Sequence, residues 1–444
     1  MRITFQPSFN FAGNLSDVHT LQDMAVVLAA TLHCSWYVPT LRALPRFGIG
    51  NGLNVSDFTF FEFFAGGGMA RAGLGQGWTC QFANDFDAMK AKAYAENWGG
   101  EHLVCEDVAK LSTADLPGVA DLVWASFPCQ DLSLAGDYKG LGKQGANAVT
   151  RSGTFWPFWR LVKGLIEEGR APPIVVLENV LGILTSNDGQ DFAAIAQTLA
   201  DSDYRFGALV MDARWFVPQS RPRVFIVAVR SGVEIPDGLV IDKAHETWSS
   251  PMLRTAHARL KPSLAKRWVW WGVAKPAEEA KRFADLLEEK PQGVAWHTVA
   301  ETQKLLDSMS PVNRGKVEAA KKAGRPMVGA LYRRTRPDAD GGRSVRAEVR
   351  FDDVAGCLRT PAGGSSRQKL LIVEGKRVRS RLLSPREAAR LMGLPESYKL
   401  PDRYNEAYHL AGDGVAVPVV RHLAACLLEP LIAGARQARS MAAE

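Results

Sequence analysis

Long apolar runs that end abruptly in glycine or polar residues dominate the sequence between residues 58 and 230. The first run, FTFFEFF, stops at three glycines, which is typical of a strand buried in a parallel sheet. The further apolar runs are WTCQFAND, DLVWAS, PIVVLEN and PRVFIVAVR. The spacings between them leave room for helices, and one helix is predicted over 86–97. This alternation predicts an α/β fold, with a doubly wound, mostly parallel sheet that binds its ligand at the carboxyl ends of the strands.

Chain length and charge placement predict a second, smaller domain. The chain has 444 residues, which exceeds what one small core needs. Residues 231–380 contain 28 Lys and Arg against 18 Asp and Glu, whereas the whole chain has a net charge of only +7. We therefore divide the chain into an N-terminal extension of no assigned role (1–55), a catalytic domain (56–231), a basic domain that faces phosphates (232–380) and a segment that returns to the catalytic domain (381–444).

Cysteine spacing and hydropathy exclude several classes of protein. The six cysteines are widely spaced and form no C-x-x-C pair, so we predict no disulfide framework and no metal site, and we expect a cytoplasmic location. The longest early apolar run, at residues 24–32, is too short to cross a bilayer, so we expect no membrane partner.

The glycine turn after the first run could bind a ligand. Glycines at a strand end let the backbone approach a ligand closely, although a simple tight turn explains the same residues. Asp85 ends the second predicted strand, where a carboxylate can bind ribose hydroxyls, and Asp107 follows the third. Each could instead cap a helix. Because the sequence has neither a Walker lysine nor a pyrophosphate-type glycine motif, a nucleoside without phosphates is the favoured ligand.

A second group of candidates follows the later strands. Cys129 lies just beyond the strand that ends at Ser126, where a nucleophile would be accessible, although a lone cysteine is more often a small core residue. Glu178 ends the next strand and could be only a helix cap. The stretch QSRPRV places Arg221 and Arg223 at the start of another strand, where a solvated basic edge is the simpler interpretation.

Together, and in this order, these motifs resemble the cytosine-5 DNA methyltransferase family. The matching elements are the Phe-Ala-Gly-x-Gly turn, Pro-Cys-Gln, Glu-Asn-Val, Gln-x-Arg-x-Arg and a late Arg-Glu-x-x-Arg-Leu-Met-Gly segment at 386–393. The resemblance runs from residue 58 to residue 430. It implies a Rossmann-like S-adenosylmethionine-dependent fold, a smaller target-recognition domain at 232–380, and duplex DNA as the partner.

The resemblance also implies roles for individual residues. Cys129 would add to carbon 6 of a flipped-out cytosine, Glu178 would bind ring nitrogen 3 and the amino group, and Arg223 with Arg221 would hold the base or its phosphate. The residues expected to bind S-adenosylmethionine are Phe64, Gly66, Gly68, Asp85, Phe86, Asp107, Val108, Pro128, Asp413 and Gly414.

Three positions depart from the family pattern. Asp131-Leu132-Ser133 replaces the usual Pro-Phe-Ser type sequence, and Asp85 replaces a common Glu. Gly412-Asp413-Gly414-Val415 replaces Gly-Asn-Ser/Ala-Val, which adds a negative charge beside the expected donor pocket.

Arginines and a polar loop in the basic segment are the candidates for DNA contact. Arginine can bind phosphate or read guanine, although a solubilising face explains many such charges. Arg343, Arg346 and Arg350 would share one face if they lay on a helix. Trp268, Trp270 and Trp271 are expected to pack the core of the smaller domain. The residues expected to contact DNA are Gln130, Ser133, Gln219, Arg343, Arg346, Arg350, Thr360, Gly363, Gly364 and Arg367.

Three rival functions remain to be weighed. An RNA methyltransferase of the same catalytic plan would have a smaller variable region, a non-catalytic relative would lack Cys129 or Glu178, and a dehydrogenase would need a phosphate-binding fingerprint. We expect a monomer, and a cognate restriction endonuclease that acts on the same site is expected as its cellular counterpart.

Overall fold

The computed structural model describes residues 58–128, 151–337, 341–359 and 367–443. Within these ranges, seven strands form one sheet in the order β3-β2-β1-β4-β5-β7-β6. The strands are β1 (Phe58–Phe63), β2 (Trp78–Asp85), β3 (Leu103–Cys105), β4 (Leu122–Ala125), β5 (Ile174–Val180), β6 (Tyr204–Asp212) and β7 (Pro222–Arg230). Strands β1 to β5 pair in parallel, whereas β7 is antiparallel to both β5 and β6. The predicted mostly parallel, Rossmann-like sheet is confirmed.

Helices cover both faces of this sheet. They include α1 (Met69–Leu74), α2 (Ala88–Trp98), α3 (Phe155–Glu167) and α4 (Gln190–Asp201). Because side chains alternate along a strand, Phe61 and Phe63 pack in a core with α3 and α4, while Phe60 packs in a second core on the opposite face. The predicted helix at 86–97 forms two residues later and is capped by the Asp87 carboxylate.

Part of the predicted second domain packs against the large sheet instead. This part contains β8 (Val240–Ile241), α5 (Pro251–Ala258), α6 (Pro262–Ala265) and β9 (Trp270–Trp271). Trp268 meets Phe206 of β6 with ring centroids 5.8 Å apart, and Trp271 is buried in the same core as Trp124 of β4. The expectation that these tryptophans pack the core of the smaller domain is therefore wrong, since they cover the β6 side of the large sheet.

A separate antiparallel sheet forms between residues 327 and 382. It has the strand order β11-β10-β12-β13, and sequence patterning missed all four strands because strands with arginine-rich faces show little apolar periodicity. The elements are α7 (Val299–Asp307), α8 (Pro311–Lys321), β10 (Met327–Pro337), β11 (Arg343–Arg350), β12 (Lys369–Glu374) and β13 (Arg377–Leu382). Leu331, Val349 and Leu371 pack with α8 on one face.

Residues 343–350 form a strand, so the shared face that Arg343, Arg346 and Arg350 would have had on a helix is not formed. Strand side chains alternate between the two faces, so Arg346 and Arg350 share a face and Arg343 lies on the other. The antiparallel register places Arg334 opposite Arg346 on that shared face.

The chain returns to the large sheet through helices. Ser384 and Glu387 form the predicted capping box at the start of α9 (Pro385–Leu391). The later elements are α10 (Tyr404–Asp413), α11 (Val417–Leu423), a π-helical turn (Ala424–Leu428) and α12 (Glu429–Ala443). The predicted last helix at 415–428 therefore extends much further.

The stretch Tyr404–Arg436 is the one helical stretch of the described residues that is long and apolar enough to cross a membrane. Its Leu423, Leu427 and Leu431 are fully buried in the protein core, and this burial accounts for its apolar character.

Candidate active site

The chain leaves β1 through a glycine turn with an unusual backbone. Phe64, Gly66 and Gly68 have φ angles of 57°, 56° and 74°, a region that glycine adopts at little cost. A Cβ atom added at Gly66 would meet no atom within 4 Å, whereas one at Gly68 would overlap the Trp98 ring. The turn therefore leaves open space beside Gly66 and is packed tightly behind Gly68.

Two distant side chains hold the turn from behind. The Trp98 indole nitrogen donates to the Gly67 carbonyl at 3.0 Å, and the Tyr398 hydroxyl donates to the same oxygen at 2.7 Å. Neither residue was among the sequence candidates, because an aromatic donor so far along the chain gives no local signal. Together they fix the backbone that a ligand would approach.

Asp85 closes the same pocket at the end of β2. Its carboxylate accepts from the Gly66 backbone N–H at 2.7 Å and from the Asp87 N–H at 2.9 Å. Burial raises the pKa of Asp85, and the Lys90 ammonium acts against that rise. Next to Asp85, the Phe86 side chain is 71% exposed, which is unusual for a large apolar ring and leaves a flat face open at the pocket rim.

The third edge of the pocket follows β3 and β4. The Asp107 carboxylate accepts from the Ala109 N–H at 2.9 Å and so caps a short 3-10 turn, Val108–Lys110, in which Val108 is buried. The helix-capping role considered for Asp107 is therefore present. Pro128 is half-buried and is the last described residue before the segment that contains Cys129.

A buried polar cluster lies beneath the glycine turn. Glu62 on β1 is 1% exposed, and its Oε2 has no hydrogen-bond partner in the part of the chain that the structure describes. The Arg71 guanidinium donates to Tyr94 Oη at 3.1 Å and contacts His102 Nε2. Burial raises the pKa of Glu62 to about 8, and the nearby Arg71 only partly offsets this rise. Glu62 is therefore protonated over most of the physiological range.

We expect Glu62→Gln to stabilise the protein increasingly as the pH rises from 5 to 8. A carboxyl group whose pKa is raised on folding contributes stability that is present below the unfolded value of 4.5 and is lost as the pH rises through about 8. Glutamine keeps the shape and cannot ionise, so the variant avoids this loss of about 1.4 kcal/mol per pKa unit. Urea unfolding at several pH values checks this, with the exposed Glu101→Gln as the control. A constant difference between Glu62→Gln and wild type would contradict it.

Glu178 and Arg223 meet at the next strand ends. Because β7 is antiparallel to β5, the start of β7 lies at the carboxyl end of β5, with Val180 opposite Arg223. Arg223 Nε lies 3.2 Å from Glu178 Oε1, and both side chains are largely buried. Asn179 donates to the Phe127 carbonyl at 3.1 Å, which ties the end of β5 to the residues just before Cys129. The sequence candidates at 178 and 223 are thus brought together.

Arg221 does not share this position. It is 2% exposed and donates to the backbone carbonyls of Leu358, Gly412 and Gly414 at 3.1, 2.8 and 2.6 Å. Its guanidinium therefore binds the segment where α10 ends and the connection to α11 begins, here called the Gly412–Gly414 loop. This arrangement makes Arg221 a residue that positions the loop, in contrast to the base contact expected from the sequence.

Gln219 is placed in the interior as well. It is fully buried, donates to the Leu391 carbonyl at 2.8 Å and accepts from the Leu358 N–H at 3.2 Å. Because both amide atoms of Gln219 bind the protein interior and the side chain is not exposed, the structure does not support the expectation that Gln219 binds DNA.

Arg367 is held by two neighbours. Its guanidinium stacks over the Tyr404 ring and donates a hydrogen bond to the exposed Asn405 side chain.

Cys357 lies between the two arginines and was missed by sequence reasoning. Its sulfur is 3.2 Å from Arg221 Nη1 and 3.9 Å from Arg223 Nη2. Burial alone would raise the pKa of the Cys357 thiol, but Arg221, Arg223 and Arg359 together lower it. Its position is set only by the tertiary fold, because the segment that contains it pairs with the residues before β7 through Gln219 and Ala355.

Comparison with known proteins identifies this arrangement. The family model for C-5 cytosine-specific DNA methylases matches residues 58–429, from β1 to the start of α12. The chain belongs to the C-5 cytosine-specific DNA methylase family. The methylase is 26% identical over 397 residues to the type II methyltransferase M1.ScrFI of Lactococcus lactis subsp. cremoris, covering 89% of this chain and 84% of the relative. It is 24% identical over 372 residues to M.HhaI of Haemophilus parahaemolyticus, with coverage of 83% and 94%.

Solved structures share the fold of the methylase. The crystal structure of the Schizosaccharomyces pombe (S. pombe) Dnmt2 methyltransferase superposes with a TM-score of 0.53 at 17% identity, covering 84% of this chain and 99% of that one. The Entamoeba histolytica methyltransferase EhMeth superposes with a TM-score of 0.52 at 14% identity, with coverage of 85% and 98%. At such low identity these matches concern the fold alone.

The methylase transfers a methyl group from S-adenosylmethionine to carbon 5 of cytosine in DNA. The pocket at the carboxyl ends of β1, β2 and β3 fits the nucleoside part of this donor, because it offers open space at Gly66, a carboxylate at Asp85 and an exposed aromatic face at Phe86. Membership of the C-5 cytosine-specific DNA methylase family excludes the Rossmann-type dehydrogenase considered from the sequence.

Several predicted residues lie outside the described part of the chain. They are Cys129, Gln130, Ser133, Thr360, Gly363 and Gly364. Their predicted roles therefore remain predictions.

Proposed function

We propose that the methyl donor binds at the carboxyl edge of β1, β2 and β3. The glycine turn would accept the methionine part, Asp85 the ribose hydroxyls, the Phe86 ring the adenine face, and Asp107 with Val108 the adenine edge. Pro128 and the loop of Asp413 and Gly414 would complete the pocket. The open space at Gly66 and the exposed Phe86 ring support this assignment.

The chemistry that follows is a covalent addition to the base. The Cys129 thiolate adds to carbon 6 of a flipped-out cytosine, and the Glu178 carboxyl group hydrogen-bonds ring nitrogen 3 and the amino group, where charge develops. S-adenosylmethionine supplies the methyl group that carbon 5 then receives. Water then accepts the carbon 5 proton, and departure of Cys129 as a thiolate restores the aromatic ring.

The observation that carries this proposal is the 3.2 Å contact between Arg223 Nε and Glu178 Oε1. The arginine holds the carboxylate in one orientation beside the strand end that leads to Cys129. Two largely buried charges at this edge would be costly without a function or compensating hydrogen bonds. In this proposal Arg223 also contacts the cytosine or its phosphate.

Bisulfite sequencing of DNA from a host that expresses the protein tests the activity and reveals its target. We expect 5-methylcytosine at one short duplex sequence. Purified protein should methylate duplex DNA and leave transfer RNA unmodified. Methylation of transfer RNA in preference to DNA would favour the alternative of an RNA methyltransferase.

Duplex DNA is read, we infer, by one face of the small sheet, here called the basic face: Tyr332, Arg334, Arg336, Arg346, Glu348 and Arg350. All six have even numbers, so they lie on the same face of β10 and β11. A Cβ added at Gly356 would overlap the Tyr332 hydroxyl, and the Arg334 guanidinium lies 5.4 Å above the Tyr332 ring. Gly356 adjoins Cys357, which contacts Arg223, so the basic face continues from the base pocket. We keep 232–380 as the proposed extent of the target-recognition domain.

Replacing Arg334, Arg336 and Arg346 together by alanine should weaken DNA binding and flatten its dependence on salt. Each lost phosphate contact reduces the slope of log K against log salt by about 0.9. Any of these side chains that reads a base should relax the methylated sequence instead of lowering affinity uniformly. Binding titrations at several salt concentrations and methylation mapping measure the two effects.

The control for this experiment is the double variant Arg333→Ala and Arg343→Ala on the opposite face of the same strands. It removes two positive charges where the test variant removes three, so the two are compared per charge removed, and we expect the control to change the slope less per charge. Equal effects per charge would show that the charge acts without a defined face, and the surface that recognises DNA would then lie elsewhere.

The type II relatives support a proposal for the biological setting. We propose a cytoplasmic enzyme that acts as a monomer, with a restriction endonuclease of the same target sequence as its cellular counterpart. Gel filtration with and without a target duplex tests the monomer. Protection of host DNA from cleavage at the methylated site tests the link to restriction.

A further inference from the structure

The Gly412–Gly414 loop, which comprises the last two residues of α10 and the residue after them, is held by cations from two sides. On one side, Arg221 at the start of β7 donates to the Gly412 and Gly414 carbonyls. On the other side, the Asp413 carboxylate lies 2.8 Å from the Lys90 ammonium in the first turn of α2. The loop is thus connected to the residues that begin β7, the strand that carries Arg223. It is also connected to α2, the helix that follows Asp85.

Lys90 is surrounded by carboxylates at a largely buried position. Its side chain is 20% exposed, and that of Asp413 is 36% exposed. Burial acts to lower the pKa of Lys90, but Asp413, Asp85 and Asp87 together raise it, so the ammonium stays charged. A cation held among three acidic side chains neutralises the charge that Asp413 brings to this rim of the pocket.

This pair bears directly on Asp413, where the family pattern has a neutral asparagine. An asparagine needs no counter-ion, whereas a carboxylate beside a donor pocket changes both local charge and loop position. In this chain the carboxylate comes with a lysine at hydrogen-bonding distance, on the helix that follows Asp85 and Phe86 of the same proposed pocket. The two side chains are 323 residues apart in the sequence and meet only in the fold.

We propose that Lys90 and Asp413 are positioning residues for the methyl donor, whose ion pair fastens the Gly412–Gly414 loop to α2 and sets the shape of the donor pocket. This inference rests on the donor site proposed above and goes beyond it. Its consequence is that neither charge is tolerated without the other, while removal of both leaves a neutral pocket like that of the family pattern.

A double-mutant cycle tests this coupling. The variants are Lys90→Ala, Asp413→Asn and the combination of the two, and the measurement is calorimetric binding of S-adenosylhomocysteine in the absence of DNA. We expect each single variant to bind three- to thirtyfold more weakly, because it leaves a partly buried charge without its partner. The double variant should bind more tightly than the weaker of the single variants.

A matched control lies on the same helix. Lys92 and Glu96 form an exposed ion pair at 3.8 Å, so Lys92→Ala combined with Glu96→Gln removes a pair of equal charge away from the loop and should leave the affinity unchanged. Lys90→Arg, which keeps the charge, should lose less affinity than Lys90→Ala. Thermal unfolding identifies any variant that does not fold. If Lys90→Ala does not fold, the donor affinity of Lys90→Arg relative to wild type tests the proposal in its place.

Steady-state kinetics provide the readout that a merely structural role would not change. The donor KM should rise in the single variants, while kcat at saturating donor and the KM for DNA change little. Single variants that bind the donor like the control pair would overturn the proposal, as would affinity losses that simply multiply in the double variant. If the wild-type protein binds no donor at all, the proposed donor site itself is wrong, which is a distinct outcome.

Discussion

Cys129→Ser is expected to reduce methyl transfer to background, a loss of about ten-thousandfold or more. A serine hydroxyl is almost entirely protonated at neutral pH and is a far weaker nucleophile than a thiolate. Donor affinity should stay close to wild type, because the proposed donor pocket is built from other residues. Single-turnover methylation of a target duplex and calorimetric donor binding measure the two quantities.

Trapping the covalent adduct makes this prediction specific. A duplex with 5-fluorocytosine at the target position should remain attached to the wild-type protein, since fluorine cannot leave as a proton does. Cys129→Ser should give no adduct, whereas Cys426→Ser, which alters a cysteine beside His422 on the last helices, should form it normally. A wild-type protein that never forms the adduct would refute the covalent mechanism.

Glu178→Gln is expected to slow methyl transfer by about 100- to 1000-fold while leaving DNA affinity nearly unchanged. Glutamine keeps the shape of the side chain and can still contact the base. It cannot stabilise positive charge at ring nitrogen 3, and it also loses the ion pair with Arg223 at 3.2 Å. Rapid-quench measurement of the methyl-transfer step separates this effect from product release.

The exposed Glu234→Gln is a suitable control, since it makes the same change of charge away from the sheet edge. A rate for Glu178→Gln within threefold of wild type would show that this carboxylate serves only to position Arg223. A large loss of DNA affinity would instead show that the Glu178–Arg223 pair acts mainly in holding the DNA.

Local sequence patterning was sufficient to predict the central strands and the glycine turn. A strand buried on both faces must be continuously apolar, so β1, β5 and β7 could be recognised from short stretches alone. The capping box at Ser384 likewise depends only on residues three positions apart. Order and spacing of the motifs then indicated the family.

What depends on distant contacts was not visible in the sequence. Whether an arginine binds a base or a backbone carbonyl depends on what lies opposite it, and the sequence could not distinguish Arg221 from Arg223, two residues apart at the start of one strand. The antiparallel direction of β7 brings Arg223 to Glu178, and the return of residues 412–414 occupies Arg221.

The same reason explains the remaining differences. The three- and four-residue spacing of Arg343, Arg346 and Arg350 would place them on one face of a helix, but pairing with β10 stabilises a strand there, since tertiary context overrides weak local preference. Lys90 gave no signal beside its acidic neighbours until the fold brought Asp413 to it. The sequence by itself thus determined the family, the central sheet and the candidates Glu178 and Arg223, whereas only the tertiary structure decided which charged side chains meet, because that depends on contacts between residues far apart in the chain.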